Sequence, residues 1–148
     1  MTDAPEPAPE PAPESLQPFF FDTAEIDGSS NADLMGALPD AEHWFGLLGR
    51  DLVTKPIVQT PTFSVFHESA QPGEQVKPHR HGVLQVDYVL RGELWFGNRC
   101  LKPGMGAFIP DTLYAWRAGD DGAEWIEIHS GGASGLYEER RPNDASRE

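Results

Sequence analysis

From about residue 52 to 130, apolar and polar positions alternate in short runs separated by Gly, Pro, Asn and Asp. Alternation with a period of two marks half-buried β-strands. The pattern predicts strands at 55–59, 62–69, 76–81, 84–91, 92–97, 99–102, 106–109, 114–118 and 124–129. Gln71-Pro72-Gly73, Gly97-Asn98, Pro103-Gly104, Pro110-Asp111 and the segment 119–122 supply turn residues between them. So many short strands in one domain predict an all-β fold, a closed double-sheet barrel of the jelly-roll kind.

The pattern changes outside that region. Residues 1–17 are repeated Pro, Glu and Ala with almost no apolar surface to offset the entropy of ordering them, which predicts a disordered tail. Residues 18–51 read as an N-terminal arm. Phe19–Phe21 predict an opening strand docked on the barrel, and Ser29-Ser30-Asn31 and Pro39-Asp40 are caps for short helices at 32–38 and 41–48. Trp44, Phe45, Leu47 and Leu48 would pack the second helix on the barrel. After the barrel at 52–130, residues 131–148 are glycine-rich and then charged, which predicts a tail that frays or wraps the surface.

The strand pattern carries one inversion of the usual polarity. His79 and His81 stand one residue apart, so in an extended strand both project from the same face. In the next strand Gln85, Asp87 and Val89 share one face while Val86, Tyr88 and Leu90 share the other. A solvated surface strand would send its polar set to water. A polar set in phase with a histidine pair instead lines a cavity with it, and a metal is the simplest reason to gather such groups. Neutral imidazole suits iron, manganese, nickel, copper and zinc. The apolar outer face of Val86, Tyr88 and Leu90 would then need burial by a partner, most simply in a homodimer.

The spacing Gly73-x5-His79-x-His81-x3-Gln85-x6-Gly92 resembles the first signature of the cupin superfamily, whose metal-binding members mostly carry glutamate where this chain has Gln85. Pro103-Gly104 followed by Ile109-Pro110 is similar to the second signature. Its histidine is missing, and Tyr114 or Ala115 stands there. The resemblance spans about 62–129 and implies a cupin-type double-stranded β-helix. It also implies a divalent ion (iron, favoured slightly, or manganese, nickel or zinc) held by His79, His81 and Gln85. Three neutral ligands leave the ion its full charge, which favours anionic substrate oxygen.

Further candidates flank these. Asp87 is a fourth ligand or a general base, and in cupins that cleave dimethylsulfoniopropionate a tyrosine stands at the corresponding position. Tyr114 is a fourth ligand or a phenol donor to substrate. On 124–129, Trp125, Glu127 and His129 share a face, which makes His129 a further candidate fourth ligand beside Asp87, Tyr114 or water, and on 62–69 Phe63, Val65 and His67 share one, but alternation alone does not say which face turns inward. Trp95, Phe96, Phe108, Trp116 and Trp125 would form an apolar wall for a small organic substrate.

Composition narrows the partners. The net charge of −13, four negative charges of which lie in the tail, repels nucleic acid and anionic membrane. No transmembrane run or signal peptide is present, and the single Cys100 fits a reducing, cytoplasmic setting. The expected function is a metal-dependent enzyme acting on a small oxygen-bearing molecule. A dioxygenase-type oxidoreductase comes first, because diketone-cleaving cupins use neutral ligands. A lyase or isomerase is the alternative, because cupin hydroxynitrile lyases carry glutamine after the His-x-His pair. A metal-free small-ligand module is the third reading.

Overall fold

The computed structural model describes residues 16–131 of the 148. Most of the predicted tail and nearly all of the C-terminal segment lie outside these residues. The N-terminal arm opens with a turn of 3-10 helix at Thr23–Glu25, then strand β1 at Ser29–Ser30, helix α1 at Asn31–Met35 and helix α2 at Ala41–Leu48. Ser30 caps α1 in a reciprocal capping box with Asp33. Asp40 precedes α2, and its carboxylate accepts from Trp44 Nε1 at 2.9 Å. Phe19–Phe21 form no strand and stay exposed, which corrects the expected opening strand. The docked strand is β1, which pairs with the barrel ten residues later in the sequence. Three consecutive aromatics have no alternation, so they offer no single face to bury.

The barrel strands are β2 at Val53–Gln59, β3 at Ser64–Ala70, β4 at Gln75–His79, β5 at Gln85–Phe96, β6 at Arg99–Leu101, β7 at Gly106–Ile109 and β8 at Tyr114–His129. All pairings are antiparallel. The sheet runs β1-β2-β3-β8-β5-β6, with β4 also on β8 and β7 also on β5. This is an all-β double-stranded β-helix with two short helices against one end.

Two expected breaks are absent, because Gln85–Phe96 and Tyr114–His129 are each one strand. The register between β5 and β8 shifts twice, between Val89 and Arg91 and between Gly92 and Leu94, so the residues read as a turn at 119–122 form a bulge instead. Both strands bend there. Gly92 has φ +72°, and a Cβ at that position would lie 2.1 Å from the Gly122 carbonyl oxygen, so only glycine allows the two bends to nest.

The core packs Val76, Val89, Leu94, Leu101, Trp116 and Trp125 against Leu47, Leu48 and Leu52 of the arm and its junction. The arm therefore closes one side of the barrel interior. Asn31 ties the two helices of the arm together, its buried side-chain amide donating to the carbonyls of Leu48 and Gly49 at the end of α2. Phe108 is 65% exposed, opposite Val86 on the outer face, and does not join the apolar wall expected of it.

Candidate functional site

A proline bulge aims the histidine pair inward. On β4 the register steps from Val76↔Trp116 to His79↔Tyr114, three residues on one strand against two on the other. Pro78 has no N–H for the ladder, so the strand bulges at Lys77–Pro78. Both of those residues are exposed, and Val76 and His79 are both buried. Uninterrupted alternation would have sent His79 to the face opposite Val76. The Lys77 carbonyl inside the bulge accepts a hydrogen bond from His79 Nδ1 at 2.8 Å. A carbonyl only accepts, so Nδ1 carries the proton and Nε2 keeps its lone pair.

On β5 the inverted polarity holds residue by residue. Gln85, Asp87 and Val89 are buried at 2%, 1% and 0% exposure, while Val86, Tyr88 and Leu90 are all above 40%. The register then fixes the strands whose phase alternation left open. Gln85 lies opposite His129, Asp87 opposite Glu127 and Val89 opposite Trp125. On the far side of β8 these face Ser64, Phe66 and Glu68 of β3. Glu127 and His129 therefore point into the barrel, and so does Glu68, which sequence reasoning missed. His67 takes the outer phase beside Glu124 at 3.9 Å.

The interior groups form two linked sets. The rings of His79 and His81 have centroids 5.2 Å apart, and His81 and His129 stand 5.1 Å apart. Tyr114 packs over both members of the first pair, at 4.5 Å from His79 and 5.9 Å from His81. Its hydroxyl donates to Gln85 Oε1 at 3.2 Å, and Gln85 Nε2 donates to Asp87 Oδ1 at 2.9 Å. His129 Nε2 meets Glu127 Oε1 at 3.1 Å. Glu68 takes a hydrogen bond from Thr54 Oγ1 at 2.8 Å and shares another with Glu127.

Burial sets the protonation of these groups. It drives the His81 pKa down to about 2, helped by His79 and His129, and lowers that of His79 as well. Both imidazoles are neutral. Burial, then the charge of Glu127, raises the pKa of Glu68 and of Asp87 well above the carboxylate range. Among the described residues, three carboxyl groups and four histidines are buried, and no Lys or Arg is buried with them.

Between His79, His81, Tyr114, Glu127, Trp116 and Trp125 lies a small cavity, closed on the arm side by Asn31, Leu48 and Leu52. It has room for about one water or one ion. The lining fits a divalent ion in chemistry, offering the neutral imidazoles of His79 and His81 beside the Glu127 carboxyl. Among the described residues no three His, Cys, Asp or Glu side chains already converge as a finished coordination shell. The expected ligand Gln85 lies in the site, with its amide oxygen turned to Tyr114.

Several solved structures share this architecture. An RmlC-like cupin from Shewanella frigidimarina NCIMB 400 is 19% identical, matching 57% of this chain and 79% of its own with a TM-score of 0.53. A cupin-like protein from Thermotoga maritima MSB8 is 21% identical over 66% and 84% of the two chains, also at 0.53. A protein with a double-stranded β-helix domain from Klebsiella pneumoniae is 21% identical over 60% and 85%, at 0.50. No family model and no curated protein matches the sequence. Likeness at these identities speaks for the fold alone. No helix among the described residues is long and apolar enough to cross a membrane.

Proposed function

Since the chain has the cupin fold, we propose that its barrel interior is a divalent-metal centre at which a small oxygen-bearing organic molecule is transformed. One observation carries this reading. The small cavity bounded by His79, His81, Tyr114 and Glu127 sets two buried imidazoles beside a buried carboxyl group.

Each residue then has a task. His79 and His81 hold the ion through their lone pairs, and the Lys77 carbonyl keeps His79 in the ligating tautomer. When bound, the ion (iron, manganese, nickel or zinc) supplies Lewis acidity toward a substrate oxygen and, if iron, a redox centre for dioxygen. Gln85 either joins the shell through Oε1 or holds Asp87 and Tyr114 in line. Asp87 and the Tyr114 hydroxyl sit at the two ends of that hydrogen-bonded chain, which suits them to store and return a proton.

Two reaction classes fit. Few protein ligands leave coordination positions open for substrate and dioxygen, which supports a dioxygenase-type oxidoreductase. The chain from Tyr114 through Gln85 to Asp87 supports a non-oxidative lyase or isomerase that moves protons. The test starts with elemental analysis of freshly purified protein. We expect about one iron, manganese, nickel or zinc per chain in the wild type and none in His79→Ala. Metal-free wild type that still binds an organic ligand would overturn the proposal. Ultraviolet monitoring of enolisable carbonyl compounds with and without dioxygen then separates the two classes.

A further inference from the structure

Two apolar surfaces of this chain lie near each other, and each is open to solvent. On the outer face of the sheet, Val86, Tyr88 and Leu90 of β5 stand beside Phe108 of β7 and Ile126 and Ile128 of β8. Phe19, Phe20 and Phe21 precede the first helical turn, each more than half exposed, and Phe20 at 99% rests on no described residue of its own copy. We propose that the chain forms a reciprocal dimer in which the aromatic segment of each copy covers the apolar strip of the other.

Backbone register puts the segment beside the strip. Lys55, His67, Ile126 and Tyr88 are direct partners across β2, β3, β8 and β5, so their side chains share the outer face. Lys55 Nζ donates to the Thr23 carbonyl at 2.7 Å, and Gly28 lies on the side chains of Val53 and Lys55, where a Cβ would come 2.5 Å from Val53 Cγ1. The arm therefore crosses that same face at its β2 side. Ile126 and Tyr88 stand two and three strands further on, about 10 and 14 Å at ordinary strand spacing. The aromatics flank the strip, yet they turn to solvent instead of lying on it.

Area and symmetry select the occupant. At about 200 Å² per aromatic side chain, the exposed fractions of Phe19–Phe21, Tyr88, Phe108, Val86 and Leu90 leave on the order of 800 Å² uncovered. A monomer ordinarily leaves an apolar patch of about 300–600 Å², and each partner in a standard interface gives about 800 Å². Projecting rings and a flat strip are complementary, and one chain carries both. A twofold pairing satisfies both at once, since segment meets strip and strip meets segment. The Arg91–Glu124 ion pair, 2.7 Å long at the end of the strip, supplies a polar rim.

The experiment is sedimentation of the full-length protein across micromolar concentrations, with a photo-crosslinking benzophenone side chain at position 20 in a parallel sample. Wild type should be a dimer. A variant with Phe19→Ser, Phe20→Ser and Phe21→Ser should dissociate at a concentration at least about 100-fold higher, because buried aromatics are the usual anchors of an interface. These rings are exposed within one copy, so the variant should keep the circular dichroism of the wild type. In a mixture of heavy-isotope-labelled and unlabelled chains, crosslinks from position 20 should join labelled to unlabelled peptides and map to 84–90 or 105–109. A wild-type monomer would overturn the dimer. Undiminished dimerisation of the folded triple variant would overturn the role of the aromatics while leaving the strip as the interface, and crosslinks confined to single chains would show that the segment covers its own copy and overturn the exchange.

Discussion

The pKa of His81 gives a measurable test of whether the histidine pair faces the interior. In the unfolded chain an imidazole takes its proton near pH 6.5, whereas in the folded protein burial and its two histidine neighbours hold His81 neutral down to about pH 2. The folded pKa is depressed, so its stabilising contribution is complete above about pH 6.5 and drains away as pH falls toward 2. At pH 5 the unfolded state is 1.5 units below its own pKa while the folded ring is still neutral. At about 1.36 kcal/mol per unit, acidification from pH 8 to pH 5 should cost the wild type about 2 kcal/mol that a His81→Gln variant does not lose. His81 is 7% exposed, so solvent screening removes little of this. Urea unfolding of both proteins, chelator-treated so that no ion competes with the proton, should show their midpoints drifting relative to each other by about 1 M at slopes of about 1–3 kcal/mol per M. Groups such as Glu68 and Asp87 titrate in both proteins and drop out of the difference. A constant midpoint difference across the range would mean that the folded protein protonates His81 freely, and the interior site would fall with it.

Two other outcomes follow from the same geometry. Glu68 is buried and its pKa is raised, so the wild type loses stability as pH climbs from about 4.5 toward the folded value; Glu68→Gln should gain thermal stability relative to wild type between pH 6 and pH 9, and equal shifts would contradict a neutral Glu68. Val86, Tyr88 and Leu90 leave an apolar strip on the outer face beside Phe108, Ile126 and Ile128; we expect a second copy of the chain to cover it, giving a dimer in sedimentation at micromolar concentration that Val86→Asp with Tyr88→Lys converts to monomer, and a wild-type monomer would refute this.

Much of this was legible in the sequence where the determinants are local. The phase of β5 follows from its own alternation, and the facing of Gln85 and Asp87 matched it. The inward turn of His79 depended on Pro78, a local signal that alternation alone passes over. The bulge at 119–122 has the composition of a turn, because glycine and aspartate serve both, and only pairing with the bend at Gly92 tells them apart. His129, Glu127 and Glu68 could not be placed from their own strands. Which face is inside is decided by register with β5, a contact made across more than forty residues of sequence in the case of His129.

The hold on His79 is made by main chain. No replacement of the lysine side chain at position 77 can delete that oxygen, and proline at 78 keeps the preceding residue extended and the carbonyl in place. Histidine 79 should therefore tolerate drift at its neighbour that would disable a ring steered by a side-chain carboxylate. The vulnerable residue is Pro78. Replacing it restores an amide hydrogen to the ladder, and the strand can then slip into regular pairing and turn the imidazole outward.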